Sequence, residues 1–263
     1  MGLLFVMGCT EETPATNQKK DDGESPNSIA TSGALPLPST ENEPAIVAWV
    51  EVSELPRSIA VCEDVFWEPD DTLSLRRLID GSDLVPGRHL LEIGTGTGLV
   101  SLCCLDAGAE KVVATDINPK AAANAAINAE LLGFSSRLDV RIVPRRDPSA
   151  YTVIKPDERF DLIISNPPWE NQKPTTVADF ALYDPGFQLM RSLIENGQQH
   201  LKPNGRILLA YGCVTAIHEI ERLAKQNGLQ FRILDDRSLD SLNEVFLPGM
   251  LIELTPGVDN LPR

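Results

Sequence analysis

Basic residues, histidine and aromatics are all scarce in this sequence. Its 23 lysines and arginines face 38 acidic residues, which gives a formal net charge of −15 over 263 residues. Proteins that grip a duplex need a basic footprint to neutralise phosphates. The acidity therefore weighs against tight, nonspecific nucleic-acid binding, although a local basic patch is compatible with it. It also keeps a chain soluble. The histidines (His89, His200, His218) are scattered, and the cysteines (Cys9, Cys62, Cys103, Cys104, Cys213) include no C-x-x-C pair. Neither a zinc framework nor a disulfide framework is present, and no metal site is expected. Cys103 and Cys104 lie in an apolar helical stretch and read as core thiols. No segment approaches the roughly 18 apolar residues of a membrane span.

The N-terminus is ambiguous. Met1 to Gly8 is short and apolar, and Val6-Met-Gly-Cys9 resembles the cleavage box of bacterial lipoproteins. Against that, a basic n-region is missing and the apolar run is short for a signal. A misassigned start codon and chance are the alternatives. Thr10 to Pro44 is rich in Ser, Thr, Asn, Pro and acidic residues. A tract with so few large apolar residues cannot offset its ordering entropy. Residues 1–44 are thus expected to be a disordered segment, and residues 45–263 the folded domain. A hydrophobic content of 42% suffices for one sizeable α/β domain.

From Ala45 the pattern changes. Ala45 to Val52 reads as a strand, Val61 to Trp67 as a strand or extended segment, and Thr72 to Ile79 as a helix. A regular alternation then begins. Strands are expected at Arg88–Ile93, Lys111–Thr115, Leu138–Val143, Phe160–Ser165 and Arg206–Tyr211, the last led in by a turn at Pro203-Asn-Gly205. Helices are expected at Gly98–Ala107, Pro119–Leu132, Gln188–His200 and Thr215–Asn227. Phe231–Asp235 and Met250–Leu254 close the chain as two strands without a helix between them. Apolar strands alternating with amphipathic helices predict a doubly wound, seven-stranded, mostly parallel sheet of the Rossmann-like α/β class. The unbroken strand pair at the end predicts an antiparallel last strand.

Leu90-Leu-Glu-Ile-Gly-Thr-Gly-Thr-Gly98 sits where an apolar strand turns into a helix. Ligands bind at that carboxyl edge in open α/β sheets. Gly94, Thr95, Gly96 and Gly98 would form the turn beneath a cofactor, and Glu92 would address an ammonium group directly or through water. Asp116, with Ile117 beside it, ends the next strand, where a carboxylate can accept from both hydroxyls of a ribose. The competing reading is a dinucleotide site. Its fingerprint, G-x-G-x-x-G, places the third glycine one residue later, and Glu92 would poorly serve a pyrophosphate at the helix N-terminus.

Asn166-Pro-Pro-Trp169 follows the strand Phe160–Ser165. The two prolines fix φ and remove two backbone donors. An amide NH2 is a poor nucleophile because its lone pair is delocalised. A site that accepts one N–H at the Asn166 side-chain oxygen and the other at the Pro167 carbonyl can aim that lone pair at an electrophilic methyl. Trp169 is expected to stack on the planar target. The bland alternative is a surface turn.

Together these residues resemble the class I S-adenosylmethionine (SAM) dependent methyltransferases. More narrowly they are similar to the HemK-like group with the "methyltransferase small" domain, over roughly Val61 to Thr255. The resemblance implies SAM as cofactor and methyl transfer to nitrogen. In that group the target is glutamine in release factors, and in its relatives an exocyclic amine of RNA or DNA. Val65-Phe-Trp-Glu-Pro-Asp-Asp-Thr-Leu73 looks like the extended segment that precedes the group's first strand. By that likeness Asp71 and Thr72 approach the cofactor's methionine end, while Trp67 and Pro69 wall its pocket. Asp147 would take the adenine-contacting position that follows the third strand, and Asn166 would face both cofactor and acceptor. Two departures stand out. Trp169 replaces the tyrosine usual in glutamine-modifying members, and the residues before Ala45, expected to be disordered, do not read as the long N-terminal helical domain of the bacterial release-factor enzymes.

The leading expectation is a cytoplasmic enzyme, because SAM is a cytosolic metabolite, that methylates a nitrogen on a protein, with glutamine first. Alternatives are a nucleic-acid or small-molecule amine as acceptor, a non-catalytic module that holds SAM, and a nicotinamide oxidoreductase. The intact Asn166-Pro-Pro-Trp169 argues against the non-catalytic module, and the glycine spacing against the oxidoreductase. No motif specifies a self-association state.

Overall fold

The computed structural model describes residues 44–257. The expectations for the lipoprotein-like start, Cys9 and the N-terminal tract lie outside these residues. Fourteen main elements follow in order: β1 (Ile46–Val50), β2 (Ile59–Cys62), α1 (Leu73–Asp80), β3 (His89–Ile93), α2 (Leu99–Asp106), β4 (Lys111–Asp116), α3 (Pro119–Leu131), β5 (Leu138–Ile142), β6 (Phe160–Ser165), α4 (Gln188–Gly197), β7 (Leu201–Cys213), α5 (Val214–Gln226), β8 (Leu229–Ile233) and β9 (Val245–Pro256).

Seven strands form one sheet in the order β5-β4-β3-β6-β7-β9-β8, and β9 runs antiparallel to both neighbours. The predicted fold class is therefore the observed one. Successive residues of β3 and β6 serve opposite faces, as the period of two demands. Leu91, Ile93 and Ile163 pack with Leu193, Ile194, Ile217 and Ile220 of α4 and α5. Leu90, Leu162 and Ile164 pack with Leu75, Leu102 and Leu105 of α1 and α2. Both faces are covered, so these central strands read as unbroken apolar runs. The strand order reverses between β3 and β6. Such a reversal opens a crevice at the carboxyl ends.

Most boundaries lie close to the sequence reading, and three departures are larger. The segment expected as a strand or extended run over Val61–Trp67 is strand only as far as Cys62, and that strand begins at Ile59. β7 starts at Leu201, and the expected turn lies inside it as an irregularity: Phe160 pairs with Leu201 but Leu162 with Arg206, and Asn204 takes φ 64°. β9 starts at Val245, well before the expected Met250, and runs on through Pro248 and Gly249.

β1 and β2 make a separate antiparallel pair. β2 is fastened to α3 by two fully buried amides. Asn128 Oδ1 accepts from Ala60 N at 2.7 Å, and its Nδ2 donates to Ala60 O and Thr97 O, each at 2.9 Å. Asn124 accepts from Cys62 N and donates to Ala60 O, both at 2.9 Å. The backbone groups that β2 would offer to another strand are satisfied by a helix instead. Among the described residues no helix is long and apolar enough to cross a membrane.

Candidate functional site

The crevice is a cavity at the carboxyl ends of β3, β4 and β6, with an empty volume of about 1310 Å³ including its open mouth. Its floor is the turn after β3. Gly94 N and Thr95 N donate to Thr115 O at 2.9 and 3.0 Å, which ties the turn to β4. Gly94 and Gly96 have φ of 78° and 56°, a region costly for residues with a Cβ. Nothing lies within 4 Å of where a Cβ at either would stand, so the open space above them is cavity. Gly98 serves differently: a Cβ there would lie 3.1 Å from Ala125, so its absence lets α2 approach α3.

Two carboxylates flank this floor. Asp116 ends β4; its Oδ2 accepts from Gly96 N at 2.9 Å and its Oδ1 from Asn118 N at 2.8 Å. These backbone donors hold it rigid, and its remaining acceptor sites are open. Burial raises its pKa. Glu92 is 4% exposed. Its Oε2 accepts from Thr95 Oγ1 at 2.6 Å and from Ser101 Oγ. Burial dominates these bonds and pushes the Glu92 carboxyl up to about 7. A cation in the cavity would relieve that cost.

The opposite wall comes from the segment before α1. Phe66, Trp67, Pro69 and Thr72 line the cavity. Asp71 is buried behind them; burial, with Glu68 and Asp70 nearby, pushes its carboxyl up to about 7. Its Oδ2 receives Asn166 Nδ2 at 3.5 Å. Asn166 leaves the end of β6 and lines the cavity together with Pro168.

The cavity thus collects Thr72, Glu92, Gly94, Thr95, Gly96, Asp116, Ile117 and Asn166 from the sequence-predicted set. Five others stand off its wall. Gly98 and Asp71 have the roles described above, and Pro167 is buried beside Asn166. Asp147 is exposed, accepts from Ser149 Oγ at 3.0 Å and leaves the wall to Val143, Pro148 and Ser149. The turn after β5 carries Asp147 outward, which corrects its expected place against the cofactor. Trp169 is also off the wall. Its Nε1 donates to Asn166 Oδ1 at 3.3 Å, and a Cβ at Gly212 would lie 2.5 Å from its Cζ3. The indole is therefore laid over Gly212, and Trp169 is not among the residues that line the cavity. The aromatic wall residues are Phe66, Trp67, Phe180 and Tyr183.

Sequence reasoning missed Phe180, Tyr183 and Asp184, which come from the long connection between β6 and α4. Asp184 is 3% exposed and accepts from Leu189 N and Met190 N at 3.0 and 3.1 Å, so it caps α4 while lining the cavity. Tyr183-Asp-Pro185 was the available signal, an acidic residue just ahead of a helix. Every charged residue on the wall is acidic: Glu68, Glu92, Asp116 and Asp184. This lining suits a cationic ligand with hydroxyls and an apolar plane. Among the described residues no cluster suits a metal ion.

Residues 75–226 match the model of the methyltransferase small domain family. A release factor glutamine methyltransferase of Cereibacter sphaeroides is 34% identical over 173 residues, which cover 58% of this chain and 60% of that protein. A Methanocaldococcus jannaschii protein assigned as an N5-glutamine methyltransferase is 31% identical over 64% of this chain and 81% of its own. A tRNA1(Val) (adenine(37)-N6)-methyltransferase of Porphyromonas gingivalis is 34% identical over 49% of this chain and 51% of its own. Thus the chain spans only about half to four fifths of these relatives. Among solved structures, a ribosomal protein L11 methylase from Lactobacillus delbrueckii subsp. bulgaricus superposes with a TM-score of 0.54 at 19% identity, covering 73% of this chain and 81% of that one. This last likeness is one of fold.

Proposed function

The chain belongs to the methyltransferase small domain family, and from that premise we propose that it methylates a planar nitrogen, with a glutamine side chain of a protein as acceptor. The observation that carries this reading is the placement of Asn166. It stands on the same cavity as Glu92, the glycine turn and Asp116, and it comes from the strand on the other side of β3. One cavity therefore holds a cofactor end and an acceptor end. SAM, when bound, supplies a methyl group activated by a positively charged sulfur.

The cofactor end fits that donor. Asp116 is fixed to accept from the ribose hydroxyls. Glu92 and the other wall carboxylates favour its two positive charges. Val143, Pro148 and Phe66 offer an apolar plane to its base.

At the acceptor end, Asn166 Oδ1 and the Pro167 carbonyl accept the two N–H groups of an amide. That holds the nitrogen lone pair in one direction. No base is needed before attack, because the nitrogen turns cationic only as it takes the methyl. The two acceptors stabilise that developing charge, and alignment contributes on the scale of about 7–11 kcal/mol. The nitrogen then sheds its proton to solvent.

The wall favours a polypeptide over a nucleic acid. No lysine, arginine or histidine lines the cavity, so a phosphate beside the target would meet only carboxylates. The similarity to a tRNA adenine methyltransferase supports RNA as the second reading. We place the enzyme in the cytoplasm, where SAM is made.

The test is incubation with methyl-labelled SAM and either purified peptide-chain release factor or total RNA. We expect label in the release factor, on glutamine after proteolysis and mass spectrometry. Label confined to RNA would replace the glutamine reading with the second one, and no SAM binding in calorimetry would end both.

A further inference from the structure

Asn166 lies between two partners of opposite hydrogen-bonding sense. Its Nδ2 is 3.5 Å from Asp71 Oδ2, and its Oδ1 is 3.3 Å from Trp169 Nε1. Once ionised, which a carboxyl pushed up to about 7 reaches above neutral pH, Asp71 has only acceptors, and an indole has only a donor. Rotating the carboxamide by 180° would set oxygen against carboxylate and NH2 against indole N–H. Both pairs would then repel.

The two partners are held from separate parts of the fold. Asp71 N donates to Glu68 O at 3.2 Å. Arg76 braces the same turn through Nη2 to Pro69 O at 3.0 Å. Gly249 of β9 lies against the Asp71 carbonyl, so close that a Cβ there would collide with it. Trp169 is set by its ring on Gly212 of β7. Neither Asp71 nor Trp169 lines the cavity, whereas Asn166 does.

We propose that Asp71 and Trp169 are positioning residues that lock the Asn166 carboxamide in the single orientation that offers an oxygen lone pair to the acceptor. The inference rests on the reading of Asn166 as the group that receives the acceptor's N–H. An amide oxygen has two lone pairs; the indole takes one and leaves the other. In the flipped state Asn166 would present N–H to N–H, and the acceptor nitrogen would lose its guide. Both bonds are long here, as such bonds commonly are before substrate tightens them. The role given to Trp169 is that of a donor, distinct from the stacking face its place after the two prolines suggests.

Two isosteric variants separate these roles. Trp169→Phe keeps an aromatic face and removes the donor. Asp71→Asn keeps the shape and removes the fixed sense. The first readout needs no acceptor. In nitrogen-resolved NMR spectra, the Asn166 side-chain amide, identified by its loss in Asn166→Ala, shifts in both variants. The second readout uses purified release factor: kcat falls about tenfold in each variant, while KM for the release factor and the dissociation constant for SAM stay within twofold. In an Asn166→Ala background neither variant has a further effect. An unmoved Asn166 amide together with wild-type kcat for Trp169→Phe would overturn the proposal. A rise in KM without a fall in kcat would overturn it too, in favour of stacking. If the release factor is not methylated at all, the NMR result still decides the clamp, and only the acceptor assignment falls.

Discussion

Glu92→Gln should make the ligand-free protein more stable at pH 8 while making it a worse cofactor binder. Glu92 is largely buried at the cavity wall, and burial lifts its carboxyl from 4.5 to about 7. In an unfolded chain it titrates near its ordinary value. The folded state therefore holds a proton that the unfolded state has lost between those two values. The sign follows: stability is fully present below about pH 4.5 and is lost as pH rises through about 7. With 1.36 kcal/mol per pKa unit, ionising Glu92 in place costs about 3 kcal/mol above neutrality. Glutamine keeps an oxygen for Thr95 and Ser101 and carries no charge, so it avoids that cost. Urea melts from pH 5 to 8.5 check this. The variant should lie within about 1 kcal/mol of wild type at pH 5 and exceed it by about 3 kcal/mol at pH 8, roughly 6–12 °C in Tm at this size. Calorimetry should show SAM affinity moving the other way, since a carboxylate has been taken from a cation's wall. A variant no more stable than wild type at pH 8, or equally stabilised at pH 5, would refute the reasoning.

Three further outcomes are expected. Asp116→Ala should lower SAM affinity by about 1.5–3 kcal/mol, the scale of hydrogen bonds to a charged group; an unchanged isotherm would remove Asp116 from the ribose. Asn166→Ala should cut single-turnover methyl transfer at saturating SAM by about 100- to 1,000-fold with the SAM isotherm nearly intact, and wild-type turnover would reduce Asn166-Pro-Pro-Trp169 to a turn. Asn128→Ala should destabilise the fold by about 3 kcal/mol in denaturant melts, because it strands Ala60 N–H and Thr97 C=O away from water, while Ala60 C=O keeps Asn124; a change below about 1 kcal/mol would mean that water replaces the amide.

What the sequence made legible and what it hid have physical causes. β3, β4 and β6 were readable because strands buried on two faces show as apolar runs. The glycine turn and Asp116 were readable because their spacing follows from adjacent strand ends. The long connection from Glu170 to Phe187 has no period, so Phe180 gave no signal and Tyr183 only that of the acidic residue beside it. It is ordered by local ties instead, such as Asp179 accepting from Thr175 N and Thr176 N at 2.7 and 2.9 Å. Trp169 misled because the residue that decides its direction, Gly212, belongs to another strand. Asp147 misled because a turn's exit direction is not written in composition. Asn124 and Asn128 sit in an alanine-rich helix and look like solvent-facing positions until β2 is laid across them.

The fastening of β2 to α3 bears on where the gene can be divided. Family resemblance begins at residue 75, and a fragment cut there would carry α3 without the strand its amides were shaped to hold. Asn124 and Asn128 would then lose the Ala60 and Cys62 backbone groups they bind, and Asn128 would keep only its bond to Thr97 O. The smallest unit that can be transplanted between proteins is thus longer than the stretch that looks alike, and it begins upstream of Ile59. Exchange among relatives is expected to succeed when the β1–β2 hairpin travels with the helix, and to yield an insoluble chimera when the seam falls between them.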